Sequence, residues 1–72
     1  MNNNLKLLDV VALTQNLPEY GLYRGQVGTI VEIPAPNVYE VEFSDDDGQA
    51  YAMKALPADQ LMVLHYQLLK AA

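Results

Sequence analysis

Apolar and polar positions along this chain fall into short runs. The plainest is "VYEVEF" (38–43), where Tyr39, Val41 and Phe43 alternate with Glu40 and Glu42. A period of two predicts a strand with one buried and one solvated face. Comparable runs recur about every eight to twelve residues with turn chemistry between them, the pattern of a small all-β domain. "KLLDVVAL" (6–13) predicts a first strand, "GQVGTIVEI" (25–33) a second, "QAYAMK" (49–54) a fourth and "LMVLHY" (61–66) a fifth. "TQNLPEYGLYR" (14–24) holds Pro18 and Gly21 without a sustained period, so it is expected to be a long loop. "PAPN" (34–37) is expected to be a four-residue turn, because two prolines cannot donate to a ladder. "SDDDG" (44–48) is turn chemistry, with Asp47-Gly48 as the strongest hairpin signal. "LPADQ" (56–60) predicts a single helical turn. Residues 1–4 are expected to be disordered, and 67–72 to form a tail with a frayed helical turn.

Gly25 and Gly28 in "YRGQVGTIVE" (23–32) invite a phosphate-cradle interpretation. A phosphate loop, however, ends in Lys then Ser or Thr and opens a helix, whereas here a β-branched run follows. If Ile33 pairs with Val38, then Ile30 faces Val41 and Gly28 faces Phe43, and these last two pairs share one side of the sheet. Gly28 then leaves room for the only phenylalanine, and Gly25 permits the tight turn or bulge at the strand entrance. Both glycines are architectural on this register. Thr29, Glu40 and Glu42 fall on the solvated side. Closure of the next hairpin over "SDDDG" would align Tyr39, Tyr51 and Met53 with the core.

With 72 residues the chain has room for one core, and about half of its residues are apolar. A domain of this size is expected to be stable by only ~4–10 kcal/mol. It has no cysteine, so no disulfide or thiolate zinc site can staple it. The first residues carry no signal-peptide pattern and no run is long enough to span a bilayer, so a cytoplasmic location is expected. Nine acidic residues face four basic ones, for a net charge of -5. The cations Lys6, Arg24, Lys54 and Lys70 are scattered, which disfavours binding to nucleic acid and favours a basic partner.

Catalytic and metal chemistry find little support. A calcium loop counted back from Gly48 would begin at Phe43, which cannot ligate, so "SDDDG" is a solvated turn. His65 is the only histidine and Ser44 the only serine, and neither has a partner set for nucleophilic catalysis. Glu40 and Glu42 lie on an exposed strand face with nothing to raise a carboxyl pKa. No enzyme activity, cofactor or metal is expected. Tyr20, Tyr23 and Arg24 in the long loop are the residue types that carry interface energy. The competing explanation is that Leu17, Leu22 and one tyrosine pack beneath the loop. Glu32, Glu40 and Glu42 form an acidic face that could steer a basic partner.

At "GQVGTIVEI…VYEVEF…AYAMKALPADQLMVL" the chain resembles SH3-like barrels. The order of elements is similar to that of the electron-transport accessory group, which includes a photosystem I peripheral subunit and the barrel of the nitrile hydratase β-subunit. Residues 25–33 also resemble a KOW motif. More closely, "LKLLDVVALTQNLPEYGLYRGQVGTIVEI" resembles a small bacterial family of unassigned function, domain of unknown function 4926, over about residues 5 to 66. The resemblance implies a five-stranded SH3-like barrel over 5–66, with one short helical turn before the last strand. Accessory barrels pack on a larger subunit without supplying catalytic residues. The expected function is therefore a non-catalytic protein-interaction module, as an accessory subunit or an antitoxin- or immunity-like protein. A ribosome- or RNA-associated KOW-like module is the alternative. A homo-oligomer stays open.

Overall fold

The computed structural model describes residues 5–65. The expected disorder at 1–4, the expected helical tail at 67–72, and Tyr66 of the last expected strand lie outside the described residues. Five strands, β1 (Val10–Leu13), β2 (Val27–Ala35), β3 (Val38–Ser44), β4 (Ala50–Pro57) and β5 (Leu61–Val63), form one antiparallel sheet in the order β4-β3-β2-β1-β5. A 3-10 turn at Pro18–Tyr20 lies in the first connection, and another at Ala58–Gln60 stands directly before β5, where the helical turn was expected. The fold is all-β.

β1 pairs with both β2 and β5, and the buried apolar side chains of the described residues gather in one core. Val11, Leu13, Leu22, Ile30, Val41, Phe43 and Leu56 are its largest fully buried side chains. Burying each stabilises the fold by about 1.5–3 kcal/mol, and with no cysteine present these contacts carry the structure. The expected pairing of Gly28 with Phe43 and Ile30 with Val41 is present. A Cβ on Gly28 would lie 2.6 Å from Val41 Cγ1, 2.8 Å from the Glu42 carbonyl oxygen and 3.0 Å from Phe43 Cδ1. Gly28 is therefore a close-approach position. Gly25, at φ +92°, makes the turn into β2.

The register departs from expectation at three places, each with a local cause. Residues 6–9 are not part of β1. Asp9 accepts from the Lys6 backbone N–H with a carboxylate oxygen, and Leu8 takes φ +71°, so a turn precedes the strand. At the β2–β3 hairpin, Val38 pairs with Ala35 rather than with Ile33. The strand runs through Pro34, and the connection is the two-residue Pro36-Asn37 turn, with Asn37 at φ +63°. Proline followed by an asparagine at positive φ is the chemistry of a type II turn. Register shifts between Ile30 and Glu32 and between Glu32 and Ala35 absorb the extra residues.

The third departure moves side chains from one face of the sheet to the other. Ser44 pairs with Ala50, but Phe43 pairs with Ala52, leaving Tyr51 as an extra residue on β4. A one-residue shift reverses the facing of everything beyond it. Ala52, Lys54 and Leu56 thus align with the core side, while Tyr51 and Met53, expected in the core, are each 48% exposed. Tyr39 is buried as expected. The last strand is also shorter than expected, ending at Val63.

Candidate interaction surface

The segment between β1 and β2 is the longest connection, and its backbone is closely organised. Leu17 and Leu22 bridge each other through two backbone hydrogen bonds, and both side chains are buried. Pro18 starts the 3-10 turn and Gly21, at φ +70°, ends it. Asn16 Oδ1 accepts from the Arg24 N–H at 2.9 Å, and the Leu13 carbonyl accepts from Gly25 at 2.8 Å. The leucines supply the packing a long loop requires. Neither tyrosine joins them: Tyr20 is 43% and Tyr23 51% exposed.

Two contacts hold this loop against β4. The Lys54 ammonium sits 4.6 Å from the centroid of the Tyr20 ring, a cation–π contact worth about 0.5–1 kcal/mol at an exposed site. Gln26 uses both ends of its amide. Its Oε1 accepts from the Tyr23 backbone N–H, and its Nε2 donates to the Tyr51 hydroxyl at 2.9 Å. Tyr51 reaches Gln26 because it is the bulged residue, with its ring 6.4 Å from that of Phe43. Tyr20 and Tyr51 are therefore half-exposed side chains held by these contacts, Tyr23 is held through its backbone N–H, and Arg24 is exposed beside them. Sequence reasoning found Tyr20, Tyr23 and Arg24 but missed Gln26, Tyr51 and Lys54. The bulge that brings the last two into place leaves no pattern in the alternation.

The acidic residues form a separate group. Glu32 is directly opposite Glu40 and Thr29 is opposite Glu42. The irregularity after Ile30 is what places Glu32 there, since an unbroken register would turn it to the core side. Glu40 and Glu42 alternate with Val41, whose partner on β4 is Lys54. The tyrosine loop and the acidic row thus belong to opposite sides of the β3–β4 ladder.

The remaining candidates are placed as follows. Asp45 Oδ1 accepts from the Asp47 and Gln49 N–H groups at 2.9 Å each, so this carboxylate caps its own turn. Gly48, at φ +78°, completes it. Ser44 and His65 are exposed. Among the described residues, no three His, Asp or Glu side chains stand close enough to hold a metal, and no helix is long and apolar enough to cross a membrane.

One family model, described as a domain of unknown function (DUF4926), matches residues 7–63, most of the chain. The chain belongs to the DUF4926 family. The match covers all five strands and both 3-10 turns, so the tyrosine loop and the acidic row lie within the DUF4926 domain. No curated protein and no solved structure matches the chain.

Proposed function

We propose that this domain is a non-catalytic protein-interaction module, a small SH3-like barrel that docks on a larger cytoplasmic bacterial protein through the loop between β1 and β2. The observation that carries this reading is the exposure of Tyr20 and Tyr23 in a loop whose own packing is met by Leu17 and Leu22. Tyrosine has few rotatable bonds, so ordering it at an interface loses little entropy. Lys54 and Gln26 restrain the loop before any partner arrives, which lowers that loss further.

The net charge of -5 and the row of Glu32, Glu40 and Glu42 favour a basic partner. The roles divide by chemistry. Tyrosines in contact with the partner set the off-rate, whereas distant carboxylates set the on-rate and its salt response. Affinity capture from the native host identifies the partner, and surface-binding kinetics at two ionic strengths then separate the effects. Tyr20→Ala or Tyr23→Ala is expected to raise the off-rate. Glu40→Lys with Glu42→Lys is expected to slow association and flatten its salt dependence. Unchanged kinetics in both tyrosine variants would remove the loop from the interface.

A further inference from the structure

We propose that the outer face of the sheet is a second docking surface, fitted to an amphipathic segment of a partner protein whose apolar stripe is flanked on one side by lysine or arginine. The cross-strand register carries the proposal. Val27, Ala12 and Met62 are successive partners across β2, β1 and β5, and they alternate with core residues, so they line the outer face. Val27 is 42% and Met62 52% exposed, whereas Ala12 between them is buried. Single exposed apolar residues are ordinary, but a row aligned across three strands forms a stripe. Methionine at its end is unbranched and adapts to the shape of a partner.

The same face turns acidic towards β3. Glu42 is an outer residue of β3, partnered by Thr29 and Met53 and so displaced two residues along β2 from Val27, and beyond it Glu32 and Glu40 oppose each other. Like charges directly opposite on a sheet repel, and none of these outer-face positions is a cation. A cationic flank would relieve that repulsion while an apolar stripe covered Val27 and Met62. A second copy of the chain is a poor occupant, since it brings no cation to this face among the described outer positions and would leave the repulsion between Glu32 and Glu40 unrelieved. An anionic membrane surface would be repelled as well. The proposal rests on the interaction-module reading but uses residues distinct from the tyrosine loop.

The test is a titration of the isotopically labelled full chain with a synthetic helical peptide of leucine and lysine, leucines on one face, followed by amide shifts. The leucine–glutamate counterpart is the control. The expected result is that the lysine peptide shifts Val27, Met62 and Glu42 and the glutamate peptide does not. Affinity is expected to fall about tenfold in Glu40→Lys/Glu42→Lys. Met62→Asp separates docking from bulk charge, because it adds a negative charge yet is expected to weaken binding; Val27→Asp serves as a second such variant, each used only if its melt matches the parent. Equal or tighter binding by these variants would overturn the proposal, as would no binding by the parent. Contacts from Met62 to residues 66–72 in the free chain, or self-association through this face, would overturn it too. Tyr20→Ala/Tyr23→Ala is expected to keep the peptide, so loss of the loop's function and loss of this face are read separately.

Discussion

Gly28 shows how much one position can decide. Its missing side chain is filled by Val41, Phe43 and the Glu42 carbonyl, and the last is backbone that cannot rotate away. Gly28→Ala is expected to cost ~1–3 kcal/mol by overpacking, and Gly28→Val more than Gly28→Ala. A urea melt measures both, and a valine variant as stable as the parent would contradict the register. Leu8 is the reverse case. It occupies the left-handed region at φ +71° while 74% exposed, so it bears strain and buries little. Left-handed backbone costs a non-glycine residue ~1–2 kcal/mol, and glycine gives back ~0.5–1 kcal/mol in chain entropy. Leu8→Gly is therefore expected to stabilise the domain by up to ~1.5 kcal/mol in the same melt. The pairing of Gly28 with Phe43 was expected from an Ile33–Val38 closure that does not form, and it holds because the register shifts between Ile30 and Ala35 offset the displaced turn. The backbone of Leu8 was not legible in the sequence, because nothing in "KLLDVV" marks the Lys6–Asp9 turn that interrupts the strand.

The elements were legible wherever alternation survived, and their registers slipped wherever a bulge intervened. All five strands and the turn before β5 follow from apolar runs and turn residues. The Tyr51 bulge adds one residue to β4 without altering its composition, and it sends Met53 out and Leu56 in. Two prolines in "PAPN" implied a four-residue loop, yet Pro34 is tolerated in β2 and Asn37 alone supplies the positive φ. Asn37→Val is expected to cost ~1–2 kcal/mol, since a β-branched residue resists that backbone, while Asn37→Gly is expected to be close to neutral. Equal melts for the two would mean the turn is not fixed by Asn37. The loop's place on β4 depends on Lys54 and Gln26. Lys54→Ala is expected to remove ~0.5–1 kcal/mol and to speed hydrogen exchange at residues 17–22 ahead of the β3 amides. Lys54 also projects from the inner side of an edge strand, a placement that discourages another strand from adding there.

For the whole molecule, charge and exposure direct the functional reading. Arg24 and Lys54 stand by the tyrosines, Lys6 is paired with Asp9, and the row of glutamates lies on the outer face. No cationic stripe forms among the described residues, so neither RNA nor duplex DNA is expected to bind at physiological salt. A fluorescence-anisotropy titration that saturates at micromolar protein would contradict this and favour a KOW-like role. The identity of a partner is not legible in composition or alternation, because specificity arises from side-chain placement across strands. Tyr20 and Tyr23 were nonetheless identifiable from residue type and loop length, and their exposure is the central feature of the proposed function. The most direct test is equilibrium binding of the captured partner to the Tyr20→Ala/Tyr23→Ala double variant, with its melt measured beside the parent's. The predicted result is a melt within ~1 kcal/mol of the parent together with loss of the partner. A variant that still binds, or one that loses its partner only because the fold has melted, would contradict an interface built on this loop.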